Sequence, residues 1–95
     1  MPITNIEEKE SPNKGMCWLR VTVIKGKGEE EKKVFEEGKR IRWVLQKLEK
    51  ALGFKTNNGL PVKGSTPYYF FIVECPLKNK DRTKETIKEI AEAGA

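Results

Sequence analysis

Ninety-five residues, 37% hydrophobic and 35% charged, allow one modest core and one domain. Nineteen Lys and Arg stand against fourteen Asp and Glu, a net charge of +5 that favours polyanionic partners. The chain has no His, which removes the commonest general base and metal ligand, and no apolar run approaches the roughly eighteen residues of a membrane span. Abundant Lys and Glu with a single Gln is the composition associated with hyperthermophiles, so a thermophilic source is expected. The N-terminal stretch lacks the apolar segment of a signal peptide, which points to the cytoplasm.

Residues 1–15 read as a flexible polar tail, with Pro2, Pro12 and the mixed-charge stretch Glu7-Glu8-Lys9-Glu10. Residues 16–95 then form a single α+β domain. Cys17–Ile24 is a strand: Cys17, Leu19, Val21 and Val23 make an apolar face, and Trp18, Arg20, Thr22 and Ile24 a mixed one. Gly26-Lys27-Gly28 breaks it. Two frames compete for residues 29–38. In the preferred one, Glu31–Glu37 returns as a second strand and a helix starts near Gly38. In the other, one helix runs from about Glu29 to Leu52, with Gly38 in its interior at a cost of about 1 kcal/mol and Phe35 off its apolar stripe.

Both frames make Lys39–Leu52 a helix, with Ile41, Val44, Leu45, Leu48, Ala51 and Leu52 on one stripe and Gly53 as its C-terminal cap. Thr56-Asn57-Asn58-Gly59 is a turn, Leu60–Lys63 a short edge strand, and Gly64-Ser65-Thr66-Pro67 a second turn. Tyr68–Cys75 is the second strong strand, stopped by Pro76. A thin helix over Arg82–Ala93 closes the chain. The hairpin frame predicts a four-stranded, mainly antiparallel sheet with helices packed on one face. The long-helix frame gives β-α-β-β-α, a ferredoxin-like order lacking its last strand.

No catalytic centre is legible. Ser11 and Ser65 lie in turns without a partner base, and the glutamates fall in runs or on helix faces. Gly26-x-Gly28 and Gly64-Ser65-Thr66 are loosely similar to phosphate loops but match neither G-x-x-x-x-G-K-[ST] nor G-x-G-x-x-G. Two cysteines without His cannot complete a zinc site, so neither metal nor cofactor is expected, and the protein reads as non-enzymatic. If the two strong strands are antiparallel neighbours, Cys17 begins one where Cys75 ends the other. Two buried thiols and a disulfide both fit that placement.

Two surfaces stand out. Trp43 lies opposite the apolar stripe, and from Lys39 to Lys50 five cations (Lys39, Arg40, Arg42, Lys47, Lys50) face one anion, Glu49. Trp43 can pack beneath neighbouring lysine stems, anchor a protein interface, or stack on a base. In the strand, Tyr68, Tyr69, Phe70 and Phe71 send two rings to each face. Tyr68 and Phe70 would then join Trp18 and Arg20 on the face away from the core, with Lys55, Lys63, Lys78, Lys80 and Arg82 around it. Uncovered sheet aromatics with Arg suit base stacking. The same row would equally suit burial in a homodimer. The expected partner is single-stranded DNA or RNA, bound through Trp18, Arg20, Lys39, Arg42, Trp43, Lys47, Lys50, Tyr68 and Phe70. The alternative is a protein-interaction module or homodimeric regulator.

The stretch Gly38-Lys39-Arg40-Ile41-Arg42-Trp43-Val44-Leu45-Gln46-Lys47-Leu48 and the strand Tyr68–Val73 sit in a hairpin–helix–hairpin–helix layout on a small basic chain. Over about Cys17–Cys75 this resembles the ThermoDBP-type single-strand DNA-binding proteins of thermophilic archaea and their shorter relatives. The resemblance implies single-stranded nucleic-acid binding in an apolar, basic-rimmed cleft of the sheet. No leucine-zipper tail is present, so zipper dimerisation is not implied, and no individual residue role is carried over.

Overall fold

The computed structural model describes residues 2–28 and 30–93. Two strands, β1 (Ile3–Glu10) and β2 (Met16–Ile24), precede helix α1 (Glu31–Leu52). Strands β3 (Lys55–Thr56), β4 (Leu60–Val62) and β5 (Tyr68–Pro76) come next, then a 3-10 turn (Leu77–Asn79) and helix α2 (Lys80–Ala93). Every strand pairing is antiparallel. β2 and β5 are central; β1 flanks β2, and β3 and β4 lie end to end along the other edge of β5. The class is α+β as expected, with five strands instead of four.

β2 and β5 alternate strictly between buried and half-buried residues. Cys17, Leu19, Val21 and Val23 stand opposite Cys75, Val73, Phe71 and Tyr69 in register. Val34, Ile41 and Leu45 of α1, Phe54 after it, and Ile87 of α2 close over this face. Both helices therefore cover the same side of the sheet. Arg40 braces them, reaching Glu37 on its own helix and the Ile90 carbonyl of α2 at 2.8 Å.

The segment expected as a loose tail is instead the edge strand β1, paired with β2 along its whole length. Its composition hid it. Of its core-side residues, Ile6 packs against the core, while Glu8 is exposed and pairs with Lys80 and Lys84 of α2. Charges on an outer strand also discourage further strand pairing. Met1 lies outside the described residues, as do Glu29, Gly94 and Ala95.

The preferred hairpin over residues 31–37 also gives way, because Glu31–Leu52 is one helix. Gly38 is the reason it can be. A Cβ built there would stand 2.6 Å from Cγ and 2.9 Å from Cβ of Tyr69, so the helix backbone lies directly on that ring. The propensity lost at glycine is exchanged for a close approach no other residue permits. Val34, Gly38, Ile41 and Leu45 form the buried stripe. Phe35 flanks it against the core, and Ala51, expected on the stripe, is exposed. Gly53 caps the helix as expected, at φ 74°, its N–H donating to the Glu49 carbonyl at 2.8 Å. The element order of the long-helix frame is the one found: β2, α1, β4, β5 and α2 follow as β-α-β-β-α, with β5 lying between β2 and β4 and antiparallel to both, the split β-α-β arrangement of a ferredoxin-like sheet, while β1 takes the other side of β2.

The Leu77 N–H donates to the Gly15 carbonyl at 3.0 Å, continuing the β2–β5 register by one pair. Hydrogen-bonded pairs recur every second residue, so Cys17–Cys75 is also one, with Cα atoms about 5.5 Å apart. Both thiols are free and buried. The pairs on the opposite face are therefore the non-hydrogen-bonded ones, whose side chains approach most closely.

Candidate functional site

Among the described residues neither helix packs on the other sheet face, whose β2 and β5 side chains are half-buried. β2 contributes Trp18, Arg20, Thr22 and Ile24, opposite Glu74, Ile72, Phe70 and Tyr68 of β5. Leu60 and Val62 of β4 extend the row beside Phe70 and Tyr68, and Ile3 of β1 extends it beside Ile24. The Tyr68 and Phe70 ring centroids are 6.0 Å apart. The Arg20 guanidinium lies over Phe70, 4.6 Å from its centroid. Glu7, the register partner of Arg20 on β1, pairs instead with Lys9 at 3.2 Å. Among the described residues no carboxylate pairs with Arg20, and its Nε is buried without a partner. A positive charge thus rests on an aromatic platform without an ion-pair partner among the described residues.

At one end of the platform Glu74 organises a cluster. Its Oε2 accepts from Trp18 Nε1 at 2.7 Å, Ser11 Oγ at 2.8 Å and Asn13 Nδ2 at 2.9 Å. The Asn13, Trp18 and Ser11 donors hold the carboxyl below its ordinary range, and the neighbouring Lys55 charge adds to this. The indole is thereby fixed in place on the open face. Beside it lies a cleft of about 390 Å³ lined by Trp18, Lys55, Thr56, Asn57, Ile72 and Glu74. Asn57 ties this edge to β5: its N–H donates to the Ile72 carbonyl at 3.0 Å, and its Oδ1 accepts from the Ile72 N–H at 2.7 Å. At the other end, Lys25–Gly28 and Ser65–Tyr68 enclose a second cleft of about 510 Å³. The two glycine-containing turns noted in the sequence thus meet.

The nine residues expected to bind nucleic acid divide between two layers. Trp18, Arg20, Tyr68 and Phe70 share the open face. Trp43, Lys39, Lys47 and Lys50 lie on the exposed side of α1, beyond the core. Trp43 is 57% exposed, and Lys47 Nζ sits 3.5 Å from its ring centroid. Arg42 is committed to the β3–β4 loop, donating to the Asn57 carbonyl at 2.6 Å and to Asn58 Oδ1 at 3.0 Å. Of the loop cations, Lys55 stands on the open face opposite Glu74, whereas Lys80 is engaged with Glu8.

Sequence reasoning missed Glu74, Asn57 and the Ser11–Asn13 turn. Glu74 was within reach: once Cys17 is set opposite Cys75, Trp18 must face Glu74. The turn was not, because its role depends on β1 being a strand. Among the described residues no group of His, Cys, Asp and Glu is placed to hold a metal ion, and no helix is long and apolar enough to cross a membrane. No protein-family model matches the chain, and no curated protein is similar to it.

Proposed function

We propose that the open sheet face binds single-stranded nucleic acid, with Trp18, Tyr68 and Phe70 stacking on bases and Arg20 meeting phosphate. The observation that carries this reading is the row of Trp18, Phe70 and Tyr68 on the sheet face that neither helix covers, with the unpaired Arg20 cation among it. Unpaired bases each offer a flat face, and stacking on an aromatic is worth about 1–3 kcal/mol per base. The net charge of +5 draws a polyanion to the surface. Trp43 with Lys39, Lys47 and Lys50 lies on the other layer and acts, in this reading, as a secondary electrostatic surface.

The two tryptophans separate the surfaces experimentally. Trp43→Phe leaves Trp18 as the reporter, and Trp18→Phe leaves Trp43. A mixed-sequence single-stranded oligonucleotide should quench Trp18, with an affinity that falls as salt rises by a slope of about 0.7 per phosphate contacted. No binding at low salt, binding indifferent to salt, or quenching confined to Trp43 would each refute the proposal.

A second reading has its own support. Ile3 and Leu60, 50% and 55% exposed, stand at opposite margins of the same face. A second copy of this chain seated there would cover both. It predicts a dimer in sedimentation, weakened by Phe70→Ala; a monomer at high concentration excludes it.

A further inference from the structure

An acidic residue is an odd component of a surface that binds phosphate, and Glu74 stands at one end of this one, opposite Trp18. Its chemistry fits a base better than a backbone. Oε2 is saturated by three donors, which fix the carboxylate in orientation and keep it ionised. Oε1 has no hydrogen-bond partner among the described residues and remains an acceptor. Across the register stands Lys55, a donor. Beside it, Asn57 uses its Oδ1 within the sheet edge, which leaves its amide N–H groups as donors. All three residues line one cleft of about 390 Å³, with Trp18 and Ile72 as its apolar walls. The site therefore offers a stacking surface, a charged acceptor and adjacent donors.

Among the bases, guanine alone presents two neighbouring N–H donors next to a carbonyl acceptor on its Watson–Crick edge. Cytosine and adenine each offer one amino group to a carboxylate. Thymine and uracil flank their single N–H with two carbonyl oxygens, which the carboxylate repels. Resting on the single-strand reading above, we infer that the Trp18–Glu74–Lys55–Asn57 cleft is a base-reading subsite that prefers guanine. Guanine N1–H and N2–H₂ donate to Glu74 Oε1, its O6 accepts from Lys55 or Asn57, and its ring stacks on Trp18. Phosphate is kept away from Glu74 by repulsion and drawn along the row toward Arg20.

The test uses the full chain and short dT tracts carrying one central dG, dC, dA or deoxyinosine, which lacks the 2-amino group. Trp18 emission is followed in the Trp43→Phe background. The dG tract should bind about tenfold more tightly than plain dT, the scale of one good base contact. Deoxyinosine should forfeit part of that gain. Glu74→Gln, with folding verified by circular dichroism, should abolish the dG advantage while plain dT binds at least as well as before. Equal binding of every tract to the wild-type chain overturns the subsite and leaves the platform standing. An equal loss for all tracts on Glu74→Gln also overturns it, by reducing Glu74 to a prop for Trp18. Failure of every tract to bind overturns the platform itself.

Discussion

Replacing Gly38 by Ala should destabilise this protein, although the same change in an ordinary exposed helix stabilises it by about 1 kcal/mol. The new methyl would stand 2.6 Å and 2.9 Å from Tyr69 Cγ and Cβ, the root of the ring where no rotation can relieve it. Tyr69 is itself buried, with Val23 beside it across the sheet. Overpacking of this kind costs typically 1–3 kcal/mol, and so close an approach belongs at the upper end. Subtracting the propensity gain leaves a net loss of about 1–2 kcal/mol, equivalent to a fall in Tm of about 5–15 °C for a domain of this size. Urea titration monitored by circular dichroism should show a lower midpoint at unchanged slope. In a Tyr69→Ala background the ring and Cγ are gone and only the 2.9 Å contact with Cβ remains, so Gly38→Ala should cost clearly less there and the two substitutions should couple. A rise in stability on Gly38→Ala in the wild-type background would refute the passage of α1 over Tyr69.

The geometry sets three further outcomes. The even-numbered residues of β2 point their backbone groups at β1, so the Arg20 and Thr22 amides should be strongly protected in hydrogen exchange; rapid exchange at both would mean that β1 is not paired. Cys17 and Cys75 are buried, and burial raises the Cys75 pKa, so neither thiol should react with an aromatic disulfide reagent at mildly alkaline pH until denaturant is added; fast native-state reaction at either would contradict their placement. Glu74 is held below its ordinary range in the folded chain, so its contribution to stability is present above the unfolded carboxylate value of about 4.3 and is lost as pH falls through the depressed folded value. Glu74→Gln should therefore flatten the acid limb of the stability curve and remove the accompanying change in Trp18 emission; an unaltered acid limb would show that the cluster is not formed.

Strands whose two faces differ in character announced themselves. Cys17–Ile24 and Tyr68–Cys75 alternate because one face meets helices and the other does not, and their cysteines fixed the register. The later part of α1 was legible from Ile41, Leu45 and Leu48, and its end from Gly53. What failed was what another part of the chain decides. Gly38 is a helix breaker by propensity and a helix residue only because Tyr69 lies beneath it. β1 buries little, so its alternation was too faint to separate from a charged tail. The candidate site divided for the same reason: Trp43 and Trp18 both read as unburied aromatics, but only the topology puts them on opposite layers.

Strand β5 gives the open face a property that its residues taken singly do not have. Tyr69, Phe71, Val73 and Cys75 lock one side of the strand into the core, while Tyr68, Phe70, Ile72 and Glu74 stand on the other side of the same backbone. The half-buried rings of the open face therefore cannot shift without disturbing packed ones. Trp18 is held in addition by Glu74. On the proposed function, most of the ordering that a binding surface ordinarily undergoes on meeting its ligand would be completed here during folding, so the entropy lost on association would fall chiefly on the ligand. Such a surface should bind with little structural change of its own, and substitutions in the buried row beneath it should weaken binding without touching the ligand at all.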